Sequence, residues 1–239
     1  MSDFDNSRWS DSNFSQAYRA GADDYIPDRY RMIEITRSLY KHFFSMSRTK
    51  SILDLGCGDG LLVHKLLEID DSIHATLVDG SSDMLEAARK RLADFDNIQF
   101  IQVGFQELLT EDPLSVTFDC ILSSFAIHHL SMHDKSALFQ YSYAHLNQGG
   151  MFLNIDVVLA PTDSLEQWYL SLWSDWIDTN VDDSKKSDVL PIPKQYKDNG
   201  DNMPDTLSAQ LSALESIGFV DVDCYYKYGI FTMFGGRKA

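Results

Sequence analysis

The chain has 239 residues, enough to bury a substantial core as one α/β domain without needing a second. Its formal net charge of −16 excludes an electrostatic grip on nucleic-acid backbones or anionic membranes, which depends on clustered Lys and Arg. The three cysteines stand apart without metal-ligand spacing, the start is polar, and no apolar run nears the ~20 residues of a membrane span. These features predict a cytoplasmic protein with reduced thiols, no bound metal, and a monomeric or homodimeric state.

Residues 1–13 read as a frayed polar tail. From 14 to 44, Phe14, Ala17, Tyr18, Ile33, Leu39, Tyr40 and Phe43 recur at helical intervals, and Pro27 divides them into two helices. The apolar run 51–55 suits a buried parallel strand, with Leu61, Leu62, Leu66 and Ile69 forming a helix stripe behind it. A second strand is expected at 74–78, then a helix N-capped at Ser82-Asp83, and further strands at 98–103 and 118–123. A helix from 134 to 146 should end at Gly149-Gly150, before a fifth strand at 151–158.

Beyond residue 160 this alternation lapses. An aromatic helix carrying Trp168, Tyr169, Trp173 and Trp176 is expected over 165–180. Residues 182–204 are polar and interrupted by prolines, as in a mobile connection. A helix over 206–217 and two strands, 220–226 and 228–234, complete the chain as an antiparallel hairpin at the sheet edge. The pattern predicts an α/β fold, a Rossmann-like, doubly wound, mostly parallel sheet with a helical cap. All of it forms one domain, 1–239, with a core over 48–160 and 206–239 and a cap from 14–45 and 161–205. In such sheets the ligand sits at the carboxyl edge of the strands. Here that edge follows Leu55, Val78, Val103, Leu122 and Ile155.

The first strand runs into Asp54-Leu55-Gly56-Cys57-Gly58-Asp59-Gly60. Glycines permit the tight turn and let a ligand approach the backbone. Asp79 follows Gly58 by 21 positions, the distance at which an acidic residue meets ribose hydroxyls. The plainer role for Asp79 is to cap the turn before the next helix, and the glycine loop upstream argues against that role alone. A pyrophosphate would be repelled by Asp54 and Asp59 in this loop. A cofactor with an ammonium and a sulfonium and no phosphate suits it, and S-adenosyl-L-methionine (SAM) is such a cofactor.

Asp54-Leu-Gly-Cys-Gly-Asp-Gly60 resembles the glycine-rich motif of class I SAM-dependent methyltransferases. Leu77-Val-Asp-Gly-Ser-Ser-Asp-Met-Leu85 looks like the second motif of that family, and Phe118-Asp-Cys-Ile-Leu-Ser-Ser-Phe-Ala-Ile-His-His-Leu130 like its fourth. Leu146-Asn-Gln-Gly-Gly-Met-Phe152 is similar to a further family turn, with Gln148 where proline is usual. The resemblance runs from about Phe14 to Arg237. The closing segment from Tyr225 is similar to a small-molecule branch that includes relatives of the carboxy-SAM synthases.

The resemblance implies a seven-stranded sheet, SAM as cofactor with S-adenosyl-L-homocysteine (SAH) as product, and a small-molecule acceptor. Gly56, Cys57 and Gly58 would line the methionine part, with Asp54 supporting its ammonium. Asp79 would take the ribose, and Gly80 and Met84 would flank the adenine. Gly104 and Phe105 stand where the family commonly has an acid that touches the adenine amino group. That acid is missing from Val103-Gly-Phe-Gln-Glu107, so backbone at Phe105 or the side chain of Gln106 would replace it.

Ser123, Ser124 and Phe125 would approach the reacting end, with His128 and His129 just beyond. Either histidine suits a general base, and either suits packing beneath the loop or shaping the pocket. Tyr18, Tyr25, Arg29 and Tyr30 are candidate substrate or lid residues. Arg29 and Arg31 are candidates to hold a carboxylate. Most of the tryptophans suit the core of the cap itself. Two alternatives remain beside methyl transfer. A carboxy-SAM synthase would need a cation in the cap, where 182–205 offers only Lys185, Lys186, Lys194 and Lys197. A SAM-binding regulator without turnover would have its substrate pocket filled in.

Overall fold

Along the central strands successive side chains go to opposite faces, and both faces are apolar. In the computed structural model, which describes residues 7–44 and 50–239 (197 and 198 by backbone alone), seven strands form one sheet. They are β1 (Lys50–Leu55), β2 (Ile73–Asp79), β3 (Ile98–Gln102), β4 (Phe118–Ser124), β5 (Leu146–Val157), β6 (Phe219–Tyr228) and β7 (Phe231–Lys238). Their spatial order is β3-β2-β1-β4-β5-β7-β6. The first five pair in parallel, and β7 runs antiparallel between β5 and β6. The hairpin therefore inserts its second strand next to β5 and leaves β6 at the edge.

Helices α1 (Ser12–Tyr25) and α2 (Arg29–Phe44) precede the sheet, and α3 (Leu61–Leu67), α4 (Ser82–Arg91), α5 (Phe105–Glu111) and α6 (Met132–His145) connect its parallel strands. An insertion after β5 carries α7 (Asp163–Asn180), α8 (Asp183–Val189) and α9 (Ile192–Asp198), and α10 (Leu207–Ile217) leads into β6. Ile52, Leu77, Leu122 and Leu153 pack in one cluster with residues of α2, α3 and α4. Their neighbours Leu53, Val78, Ile121 and Phe152 pack in the other with α5, α6 and α10. Two apolar faces cost nothing in water only when both are covered, which makes the sheet doubly wound.

Several boundaries differ from the sequence reading. Of the expected tail, residues 1–6 lie outside the described residues, whereas Arg8–Ser10 form a 3₁₀ turn. Trp9 holds that turn by edge contacts to Phe14 and Tyr18, at 4.9 and 5.0 Å. The N-cap of α4 is Ser81, whose hydroxyl accepts the Met84 N–H, not the pair after it. Helix α5 was not foreseen, because its seven residues bury only Leu108 and show no stripe. Helix α6 ends at His145, and Gly149-Gly150 instead form the irregular start of β5, where the pairing with β4 shifts register.

The stretch 182–204 is not a featureless connection. The Asp182 carboxylate caps α8 by accepting the Ser184 N–H at 2.9 Å, and Pro191 and Pro193 fall at the start of α9. There proline initiates a helix instead of breaking one. The insertion is tied to α1: the Trp173 indole N–H donates to Tyr25 O at 2.7 Å, and Lys185 pairs with Asp24 at 2.8 Å. Helix α2, expected in the cap, lies in the core layer, with Met32, Ile33, Tyr40 and Phe44 buried in its cluster.

Candidate cofactor and acceptor site

The strand order reverses between β1 and β4, so their carboxyl ends splay apart and leave a crevice. The glycine loop enters this crevice under control of β2: Gly56 and Cys57 both donate their N–H to Val78 O, at 2.8 and 3.0 Å. Gly56 has φ +66°, and a Cβ there would lie 2.4 Å from that of Ala126. Gly58 has φ +54° and nothing within 4 Å of a would-be Cβ, so its backbone faces open space. Asp79 sets this geometry from β2, accepting the Gly58 N–H on Oδ2 and the Ser81 N–H on Oδ1, each at 2.8 Å. Burial pushes its carboxyl up to about 6, against the lowering effect of those two donors.

Three cavities meet at this edge. The first, about 340 Å³, is lined by Gly56, Gly58, Asp79, Gly80, Met84, Gly104, Phe105, Ser124 and Phe125, all named from the sequence. Gln106 joins them, while the neighbouring Glu107 carboxylate accepts the Gly104 N–H at 3.2 Å and caps its own helix. The second, about 50 Å³, is lined by Gly58, Asp54, Cys57, Arg19 and Arg29, of which Arg29 is paired with Asp23 at 2.6 Å and Arg19 donates to Asp83 O at 3.0 Å. The third, about 670 Å³, lies under the cap among Tyr18, Tyr25, Trp173, Tyr196 and His128. Trp9, Tyr18, Phe125 and His129 line both the first and the third, so the two share a wall.

Asp54 is the unusual group. It is buried at the end of β1 and neither carboxylate oxygen has a hydrogen-bond partner among the described residues. Burial pushes its carboxyl up to about 8, with Asp79 and Asp59 adding to the shift. A buried carboxylate in this condition is costly until a cation meets it. Asp59, read from the sequence as a second bare acid, is ion-paired with Arg91, whose Nε also donates to Asp59 O at 2.9 Å. The repulsion of phosphate thus rests on Asp54.

Other expectations need correction. Ser123 is fully buried and its hydroxyl donates to Leu55 O at 2.8 Å, which joins β4 to β1 and keeps it out of all three cavities. Tyr30 is 58% exposed and donates to Asp23 at 3.0 Å, because it follows Arg29 on the outer side of α2. Arg31 is exposed and also lines none of the cavities. Trp173 is buried, as suits a cap core, but Trp168 is 56% exposed.

The two histidines divide. His129 accepts the Trp9 indole N–H on Nε2 and donates from Nδ1 to Asp201 O, both at 2.9 Å. Both nitrogens are committed, and burial and the neighbouring His128 ring push its pKa down to about 3. His128 donates its backbone N–H to Asp156 at 2.9 Å, and its Nδ1 lies 2.6 Å from the other oxygen of that carboxylate. An imidazole that gives Nδ1–H to a carboxylate keeps its lone pair on Nε2.

Sequence reasoning missed Trp9, Arg19, Asp156 and the Asp201–Met203 turn. Asp156 had a signal, since it stands one residue past Ile155 at the carboxyl edge. The others reach the site by chain folding alone.

A family model described as a methyltransferase domain matches residues 53–152, which includes the glycine loop, Asp79 and the histidine pair. A malonyl-[acyl-carrier protein] O-methyltransferase of Halalkalibacterium halodurans is 36% identical over 75 residues, covering 31% of this chain and 28% of that protein. A carboxy-S-adenosyl-L-methionine synthase of Helicobacter pylori is 22% identical over 207 residues, covering 86% and 82%. In three dimensions an O-methyltransferase family protein from Burkholderia thailandensis superposes with a TM-score of 0.66 at 14% identity, over 98% of this chain and 63% of that one. The chain thus spans less than a third of the acyl-carrier methyltransferase and under two thirds of this structural neighbour. In its glycine loop and matched residues 53–152 the chain is thus similar to SAM-dependent methyltransferases, and it shares the fold of the solved O-methyltransferase.

Proposed function

We propose that this protein binds SAM across the first two cavities and transfers its methyl group to a small molecule held in the third. The observation that carries this reading is the unpartnered, buried Asp54 carboxylate on the small cavity that Arg19 and Arg29 also line. An amino-acid zwitterion presents an ammonium to the first and a carboxylate to the second, which is the methionine end of SAM. Asp79 then meets the ribose hydroxyls, while Gly80, Met84, Gly104 and Phe105 flank the adenine, and the Gln106 amide replaces the missing acid at its amino group. When bound, SAM supplies an activated methyl on a sulfonium. The protein supplies position, a dry pocket and a cap that excludes water. Ser124 and Phe125 bound the reacting end, where Phe125 separates cofactor and acceptor spaces.

Similarity to a carboxy-SAM synthase over 86% of this chain supports a second reading, in which the bound ligand carries an extra carboxylate near the methyl position. A cation would have to meet it. Of the cations that line the third cavity, Lys185 is held by Asp24 at 2.8 Å, whereas Arg8, 3.5 Å from Asp201, keeps a buried Nε without a hydrogen-bond partner among the described residues. A regulator without turnover is not favoured, since the space under the cap is open.

Titration calorimetry with SAM, SAH and NAD tests the proposal, together with mass spectrometry of whatever ligand the purified protein retains. SAM and SAH are expected to bind and NAD not to. Retained carboxy-SAM selects the second reading, and binding of NAD in preference to SAM overturns the first.

A further inference from the structure

We propose that the third cavity takes an acceptor that carries a carboxylate, and that Arg8 and Tyr196 are the residues that hold it. The inference rests on the SAM reading above and adds the acceptor class and two binding residues.

Three buried polar atoms on the lining of this cavity lack hydrogen-bond partners among the described residues: Arg8 Nε, the Tyr196 hydroxyl and Asn202 Oδ1. Burying such groups unpaired is costly, and a charged one costs most. Arg8 is the clearest case. Asp201 approaches its Nε to 3.5 Å without forming a hydrogen bond, and the ring of Phe14 covers the guanidinium at 4.5 Å. Burial lowers the Arg8 pKa and outweighs the opposite pull of Asp201, so the guanidinium is desolvated more than it is compensated. An anion brought by the ligand completes it. Lys185, on the same lining, is not in this condition, since Asp24 holds it at 2.8 Å.

The three residues adjoin one another through Asp201. That residue contacts Arg8 and precedes Asn202, whose amide donates to Tyr196 O at 3.3 Å. The 3₁₀ turn at Arg8, helix α9 and the turn after it thus bring a cationic N–H, a hydroxyl and a carbonyl oxygen to the cavity. Burial pushes the Tyr196 hydroxyl up, which keeps it protonated and able to donate. Arg8 Nε and the Tyr196 hydroxyl are donors for a carboxylate, and Asn202 Oδ1 is an acceptor for an N–H or O–H elsewhere on the ligand. Beside them Tyr196 stands edge-on to Trp173 at 5.8 Å, and Trp173 to Phe231 at 4.9 Å. A flat apolar body suits such a wall.

Placement assigns the carboxylate to the acceptor and not to the cofactor. Arg8 lines the third cavity and neither of the two that SAM would fill. The wall common to the first and third is made by Trp9, Tyr18, Phe125 and His129, so a group one bond from the transferred methyl meets those residues first. Arg8 is accordingly a handle for the acceptor and takes no part in the transfer itself.

Calorimetry on the full chain saturated with SAH tests this with 2-naphthoate and its neutral isostere 2-naphthamide. 2-Naphthoate should bind at least about 10-fold more tightly than the amide. Arg8→Gln should abolish that preference in protein that still binds SAH, and Arg8→Lys should keep part of it. Tyr196→Phe should weaken 2-naphthoate about 3-fold or more. Asp201→Asn removes the competing acid and should tighten 2-naphthoate, a gain that a misfolded variant does not produce. Where Arg8→Gln disturbs SAH binding, the result with Asp201→Asn decides. Equal or tighter binding of the amide overturns the proposal, as does no binding of 2-naphthoate or a preference that survives in Arg8→Gln. Mass spectrometry supplies a further arm: carboxy-SAM retained by the wild type and lost from Arg8→Gln assigns the guanidinium to the cofactor and also overturns it. If SAH does not bind at all, the same probes on the unliganded chain separate the two readings. A carboxylate preference lost in Arg8→Gln then keeps this site while the SAM reading falls.

Discussion

Trp9 donates its indole N–H to Nε2 of His129 at 2.9 Å, fastening the N-terminal turn across the wall between the cofactor and acceptor cavities. The bond requires a neutral ring, which burial provides by pushing the His129 pKa down to about 3. A histidine whose folded pKa lies below its unfolded value of ~6.5 contributes stability that is complete above that value and is lost as pH falls toward 3. Thermal unfolding of the wild type is therefore expected to weaken between pH 6.5 and 4. The slope should be shallower in His129→Gln. Trp9→Phe keeps the ring and removes the donor; it should cost about 1 kcal/mol and speed SAM release several-fold in stopped-flow measurements.

Asp54 carries the opposite linkage. Its folded pKa of about 8 lies above the unfolded value, so the free protein loses stability as pH rises from about 4 to 8. Asp54→Asn should stabilise the free protein at pH 8 by on the order of 2 kcal/mol, read as a higher melting temperature. The same change should lower SAM affinity at least 100-fold, through loss of the charge that meets the ammonium. Calorimetry in two buffers at pH 7 should further show proton release on SAM binding by the wild type and none by the variant.

Arg29 and Tyr30 are adjacent in sequence and opposite in placement. Arg29→Ala should weaken SAM binding about 10-fold or more, because Arg29, held by Asp23 at 2.6 Å, lines the small cavity together with Asp54. Tyr30→Phe should leave both SAM affinity and turnover within about 2-fold of the wild type, since its hydroxyl donates to Asp23 at the surface. Equal effects of the two changes in calorimetry would contradict the assignment.

Ser123→Ala separates scaffold from site. Its hydroxyl bridges β4 to the last carbonyl of β1, so about 1–2 kcal/mol of stability should be lost in urea unfolding. SAM affinity should change little. Ser124, one residue on, lines the cofactor cavity, and enlarging it to Leu should reduce SAM affinity while leaving stability near that of the wild type.

Residues with a local reason were legible without a structure. The glycine loop, Asp79 and Met84 announce themselves because a left-handed turn, a strand end and a capped helix each carry a signature within a few positions. Alternating apolar strands and striped helices likewise predicted the doubly wound sheet and the antiparallel hairpin. Period-two strands face both ways along one axis, and that pattern survives in the linear order. Short elements with few buried positions escaped: α5 and α8 bury one residue each, Leu108 and Val189, whereas the equally short α3 buries four and shows a stripe.

What tertiary structure alone decided is which of the conspicuous residues face the same space. Asp54 and Asp59 looked equivalent in the loop, until Arg91, 32 positions beyond Asp59, reached back to neutralise one of them. His128 and His129 looked equivalent until Asp156 claimed one ring and Trp9 the other, from 28 and 120 positions away. Charge compensation and tautomer choice depend on contacts across a few ångströms of space, and a chain of 239 residues does not write those distances in its order. The sequence determined the sheet, the crevice and the kind of loop that lines it. The packed chain decided that one carboxylate stays bare, one imidazole keeps a free nitrogen, and a cavity with an aromatic wall opens beside them.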